Sequence, residues 1–309
     1  MNAAPHIARA ALPVVIAAAG EPIGDAPRPA IARALAGVGG VLMRGYAVGD
    51  RFRAFAAGFG DPLVSYDFAS TPRRKLGDGV YSSTEYPAHQ HIPLHNEQAY
   101  TRDWPMRIWF HCEVAAPVGG ETPIADSREV YRRIDPAIRR RFTEHGVRYV
   151  RNSGNGLDVP WQRVFDTSDP AVVEAYCAAH AITWTWTDDG ELRTAQVAQA
   201  IATHPVTGEP VWFNQAHLFH VSALEPAVRE ALLDAVAPDD LPRNATYGDG
   251  RAIEDAVLDE IRAVYAATQV AFPWQAGDVL MLDNMLVAHG RTPFVGDRRV
   301  VVAMAAPHR

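Results

Sequence analysis

The segment HIPLHNEQAY, residues 91–100, sets His95 and Glu97 two positions apart. In a strand, residues i and i+2 share a face, so an imidazole and a carboxylate at this spacing can reach one point in space. Two imidazoles and one carboxylate on one face of an octahedral metal form the set that holds non-heme Fe(II). The pair therefore calls for a second histidine remote in sequence. Without one it is a polar pair on the solvent side of a strand. The run DVLMLDNMLVAHGR, residues 278–291, supplies His289 at the end of a mostly apolar stretch, directly before Gly290. In a chain with 12 histidines that trio needs further support.

Two features add to it. GGET, residues 119–122, places the Thr122 hydroxyl just beyond a tight turn, and Arg298 follows His289 by nine residues, ahead of the apolar run VVVAMA. A guanidinium grips a carboxylate in a two-pronged fork and a hydroxyl adds a hydrogen bond, so the combination suits a dicarboxylate. One that chelates iron at one end and meets arginine at the other is 2-oxoglutarate. Alternation sends only one of Arg298 and Arg299 inward, and Arg298 is the expected anchor. Substrate contacts are expected among His91, Asn214 and Arg291. His89 shares the alternation of His91, and Asn214 and His217 lie in the polar-aromatic run WFNQAHLFH, where structural hydrogen bonding competes with a substrate role.

A chain of 309 residues can bury a large core. Hydrophobic residues make up 48%, charged residues 21%, and the net charge is −7. The densest basic runs, RRK at 73–75 and RRR at 139–141, are short and read as solvated faces, which argues against nucleic-acid binding. Two distant cysteines, Cys112 and Cys177, form no metal-spaced motif and read as small core residues of a protein from a reducing compartment. The apolar stretch 8–20 is too short to span a bilayer, is broken by Pro13, and lacks a basic segment before it. A cytoplasmic protein is expected, with no membrane partner.

The elements that must position these residues are mostly strands. Helices are expected over 28–37, 51–60, 128–146 with a break at Asp135-Pro136, 171–181, 225–236 and 252–269. Strands are expected over 40–46, 104–116 and 146–152, with a strand running into a turn over 182–192, a hairpin return at 208–215 and two closing strands, 276–291 and 297–305. Residues 66–80 are polar and contain glycine, and a loop is expected there. Short, turn-separated strands with helices packed outside suggest an antiparallel sandwich or barrel core. No linker divides the chain, so one domain over 1–309 is expected.

The motifs H-N-E, GGET and AHGRTPFxGxRR, in this order and spacing, resemble the taurine dioxygenase (TauD/TfdA) and clavaminate synthase-like superfamily of Fe(II)- and 2-oxoglutarate-dependent oxygenases. The resemblance runs from the strand near residue 40 to the C-terminus and lies nearest the H-x-E branch of SyrP-like amino-acid hydroxylases. It implies a double-stranded β-helix, or jelly roll, with His95, Glu97 and His289 as iron ligands and Thr122 and Arg298 on 2-oxoglutarate. Many relatives carry a second arginine four residues after the first, where this chain has Val302. Related halogenases replace the carboxylate with a small residue so that chloride can bind, so Glu97 favours hydroxylation. The activity implied is oxidation of an unactivated C–H with O2, giving succinate and CO2. The implied substrate is an amino acid or derivative, free or tethered to a carrier protein, in natural-product biosynthesis. The competing reading is a non-catalytic metal-binding or regulatory protein on the same fold; turnover of 2-oxoglutarate separates the two.

Overall fold

The structure, a computed structural model, describes residues 11–64, 74–83, 86–153 and 156–308. Its largest element is a seven-stranded sheet in the order Val14–Ala17, Gly40–Arg44, Val279–Asp283, Trp104–Val114, Arg299–His308, Val80–Ser82 and Lys75–Gly77. A smaller sheet of three strands runs Ile92–His95, Val287–Arg291, Ile124–Asp126.

Period-two alternation sorts the long strands between two cores. Leu280, Leu282, Val300, Val302 and Met304 join Ile124 and Val287 of the smaller sheet in one apolar cluster. Met281, Val301, Ala303 and Ala305 point the other way, onto Ile31, Ala34, Phe52 and Phe55 of the N-terminal helices. Two layers of mostly antiparallel strands thus enclose the first core, the architecture of a jelly roll. Among the described residues neither sheet closes on itself as a barrel. Helices Ser127–Arg133, Pro136–His145 and Asp255–Thr268 pack outside, around Phe142, Trp212 and Tyr247. The break expected at Asp135-Pro136 is present: Asp135 caps the second helix by accepting a hydrogen bond from the Ala137 amide at 2.7 Å.

Two expectations are corrected. Residues 276–291 do not form one strand. Asp283 accepts hydrogen bonds from the Met285 and Leu286 amides at 3.0 and 3.1 Å, which turns the chain. Val279–Asp283 therefore belongs to the large sheet and Val287–Arg291, carrying His289, to the small one. Residues 66–80 are not wholly loop, because Lys75–Gly77 and Val80–Ser82 form an edge hairpin in which Val80 and Tyr81 are buried; positions 66–73 of that segment lie outside the described residues. The apolar stretch judged too short for a membrane span contains the strand Val14–Ala17, paired in parallel with Gly40–Arg44. Among the described residues no helix is long and apolar enough to cross a membrane.

Candidate active site

His95 ends its strand directly opposite His289 on the neighbouring strand. Their rings lie 4.6 Å apart, centre to centre, and Phe110 packs against His289 at 4.9 Å. Such close pairing needs Gly290: a Cβ there would sit 2.5 Å from the Ile92 carbonyl oxygen. Glu97 follows in the turn beyond the strand, with its Oε2 3.9 Å from His289 Nε2. One potential ligand atom from each of His95, Glu97 and His289 lies within 4.8 Å of the others. Glu97 and His289 are almost fully buried. The Pro93 carbonyl is 2.8 Å from His95 Nδ1 and can only accept, so Nδ1 carries the proton and Nε2 keeps the lone pair.

The turn bearing Glu97 is held by Asn284, which is wholly buried. Its Oδ1 accepts from the Glu97 amide at 2.7 Å, and its Nδ2 donates to the carbonyls of Glu97 at 2.9 Å and Pro105 at 2.8 Å. Asn96, between the two ligands, donates to the Asn284 carbonyl at 2.6 Å and to Ser127 Oγ at 3.0 Å. Behind this clasp, His204 Nε2 meets Asp283 Oδ2 at 3.0 Å while His204 Nδ1 accepts from the Thr207 amide at 3.1 Å. The polar pair Asp283-Asn284 interrupting an apolar strand was the sequence signal for this clasp.

A narrow cleft runs from the histidines past Thr122 to Arg298, with Phe110 and Val302 among its walls. At about 30 Å³ it takes a group the size of a water or a carboxylate. Thr122 accepts a hydrogen bond from Trp274 Nε1 at 3.1 Å, which leaves its own hydroxyl proton available to donate. Arg298 donates through Nε to the Gly120 carbonyl at 2.9 Å, and among the described residues no carboxylate lies within ion-pair distance of it. Burial first, then the neighbouring Arg291, lowers its pKa to about 10, so it stays charged at neutral pH. Gly120 makes room for it: φ is +75°, and a Cβ would lie 2.9 Å from Arg298 Cδ. Arg299 points to solvent and pairs with Glu113 at 2.6 Å.

The expected substrate residues are not brought together. Asn214 is wholly buried, donates to the Ala200 carbonyl at 2.9 Å and caps Ala216 at 3.1 Å, so its amide is spent within the fold. His217 is likewise structural: Nε2 meets the Leu94 carbonyl at 2.9 Å, and burial lowers its pKa to about 3, keeping it neutral. His91 and His89 are exposed and line neither cavity. Arg291 reaches the cleft wall, but its guanidinium donates to the carbonyls of Tyr86, Pro87 and Gln90 at 2.7–3.0 Å, fastening that loop. The residues that do line the large cavity were missed. It measures about 480 Å³, starts at His95 and Glu97, and is walled by Tyr86, Tyr100, Phe219 and Arg243. His95 and Ile92 border both spaces, so the three-ligand cluster sits at their junction.

The donor set fits an Fe(II) centre: two imidazoles, one carboxylate and an open side toward both cavities. Comparison with known proteins agrees. The family described as "Taurine catabolism dioxygenase TauD, TfdA family" matches residues 9–304. The chain is 44% identical over 271 residues to the dapdiamide synthesis protein DdaC of Enterobacter agglomerans, covering 87% of this chain and 82% of that protein. It is 33% identical over 279 residues to the clavaminate synthase-like protein At3g21360 of Arabidopsis thaliana, covering 86% and 81%. In fold it is similar to PvcB of Pseudomonas aeruginosa, with a TM-score of 0.54 and 14% identity over 95% of this chain and 86% of that one. The chain belongs to the TauD/TfdA family of Fe(II)- and 2-oxoglutarate-dependent dioxygenases.

Proposed function

We propose that the protein hydroxylates an unactivated C–H of an amino acid or related small molecule, in natural-product biosynthesis. The observation that carries this reading is the cluster of His95, Glu97 and His289, whose ligand atoms lie within 4.8 Å of one another, with its two histidines lining the cleft that also holds the Arg298 guanidinium. His95 Nε2, His289 and the Glu97 carboxylate would hold the iron, and Thr122 and Arg298 would hold the distal carboxylate of 2-oxoglutarate. When bound, iron and 2-oxoglutarate supply the oxidising chemistry, with O2 consumed and succinate and CO2 released.

The rest is done by the chain. The Pro93 carbonyl fixes the tautomer of His95, and the Asn284 clasp fixes the backbone of Glu97, so the ligands need not reorganise on loading. A buried cation without a counter-charge is costly, and a ligand carboxylate at Arg298 removes that cost. Ile92, Leu218 and Phe219 give the large cavity apolar walls that exclude water from the target carbon. Glu97 fills the third protein position, which favours hydroxylation over halogenation. Similarity to a dapdiamide synthesis protein supports a biosynthetic setting.

The test is succinate release by anaerobically purified protein given Fe(II), 2-oxoglutarate and O2, alone and with a panel of amino acids. Release that rises with one compound and vanishes in His95→Ala and His289→Ala supports the proposal. Release that survives those substitutions contradicts it.

A further inference from the structure

The single-turn helix Ala216–Phe219 is flanked by two polar side chains, Gln215 before its first residue and His220 after its last. Both line the large cavity, and both are more than nine-tenths buried, at 5% and 7% exposure. Gln215 Nε2 donates to the Asn96 carbonyl at 2.7 Å. A carbonyl only accepts, so the side-chain amide cannot be turned round and Oε1 is the end left over. Among the described residues Oε1 accepts no hydrogen bond, yet it is not sealed inside the protein.

The orientation of His220 is fixed in the same manner. Its Nδ1 accepts from the Ser222 amide at 3.1 Å and lies 2.8 Å from the Ser222 hydroxyl. That hydroxyl accepts from Arg262 Nη2 at 2.9 Å, which leaves its own proton for Nδ1. Nδ1 is therefore an acceptor, and the ring proton sits on Nε2. Burial first, with the Arg262 and Arg229 guanidiniums, outweighs the pull of Asp255 3.9 Å from Nδ1 and lowers the pKa, so the ring is neutral at pH 7. Among the described residues nothing pairs with Nε2, and it too is open rather than sealed. One uncharged donor and one uncharged acceptor thus stand unpaired on the wall of the space that begins at His95 and Glu97.

We propose that this pair orients the substrate: His220 Nε2–H donates to a carbonyl oxygen, and Gln215 Oε1 accepts from an N–H of the same molecule. The inference rests on the hydroxylase reading and deepens it by naming the polar group that is read, the carbonyl and N–H of an amide. A buried donor or acceptor without a partner is costly, so a ligand that satisfies both is favoured over one that lacks either. Neither protein group carries charge, which matches the neutral amide. Neither lines the narrow cleft proposed for 2-oxoglutarate, so the two sites are separate. Leu218 and Phe219, between them in sequence, give the same wall its apolar surface.

The experiment uses the N-acetyl derivatives and the primary amides of the proteinogenic L-amino acids, each beside its ester analogue, which lacks the N–H, and its thioamide analogue, whose sulfur is a weak acceptor. Binding is read by calorimetry on metal-free protein and by perturbation of the anaerobic Fe(II)–2-oxoglutarate absorption band. The tightest-binding amide is expected to lose about tenfold in affinity on either replacement. His220→Asn keeps an acceptor for the Ser222 amide but removes the cavity donor. It should bring the amide-to-thioamide ratio below about twofold and leave the amide-to-ester ratio intact. Gln215→Met should do the reverse. Each ratio compares two ligands on one protein, so structural damage common to both cancels, and His220→Asn decides alone if Gln215→Met fails to fold. Esters and thioamides binding as well as the amides overturn the proposal. So does a panel in which no amide binds, or an amide-to-thioamide ratio unchanged in His220→Asn. The band recorded before any substrate is added reports on the iron site by itself, so failure of the hydroxylase reading is seen separately from failure of this one.

Discussion

Replacing Asn284 by alanine should damage both the fold and the metal site, to calculable extents. The side chain makes three hydrogen bonds, to the Glu97 amide and to the Glu97 and Pro105 carbonyls, in a wholly buried position. Asn284→Ala removes all three of these bonds. Each buried unsatisfied group costs about 1–3 kcal/mol, and carbonyls at the lower end, so a loss of roughly 4 kcal/mol is expected. In a chain of this size that corresponds to a fall in Tm of roughly 10 °C. Because the lost bonds bracket Glu97 on both backbone sides, metal affinity should also fall, about 10–100-fold. The assay is thermal unfolding of metal-free protein beside a Co(II) or Fe(II) titration at a temperature where the variant is folded. Asn284→Asp should do no better, since it aims an oxygen at two carbonyls. A variant that loses stability but binds metal as tightly as the parent would refute the claim that the clasp positions Glu97.

Arg298→Leu should weaken 2-oxoglutarate binding by roughly 100-fold, from charge-assisted bonds worth about 1.5–3 kcal/mol. Arg299→Leu, at a surface pair with Glu113, should change the same titration less than about twofold. Gly120→Ala should displace Arg298, since its Cβ would sit 2.9 Å from Arg298 Cδ at a φ of +75°; 2-oxoglutarate affinity should drop while metal affinity holds. Burial pushes the thiols of Cys112 and Cys177 up to about 11, so neither should react with iodoacetamide at pH 8 until the protein unfolds. Rapid labelling of native protein at either position would contradict that burial.

The clustering of His95, Glu97 and His289 was legible because residue chemistry and short sequence spacing are local properties. His95 and Glu97 stand close enough in sequence to share a site, although Glu97 reaches it from the turn beyond the strand and not from a shared strand face, and His289 follows a run whose apolar content marks a strand. Arg298 was separable from Arg299 by strand alternation, since Val300 and Val302 face the inner core and Val301 the outer one. The split at Asp283-Asn284 was harder to read. The apolar run resumes at once, and only Asp283 accepting two backbone hydrogen bonds shows that the chain changes sheets there. Asn214 looked like a substrate residue because a buried amide and a ligand-binding amide have the same sequence appearance.

The most direct measurement of the central claim is the anaerobic absorption spectrum of the protein with Fe(II) and 2-oxoglutarate. Coordination of both at one centre predicts a charge-transfer band that appears only when the two are present together and is lost in Glu97→Ala. Absence of the band from the parent protein, or its full persistence in Glu97→Ala, would contradict the site built from His95, Glu97 and His289.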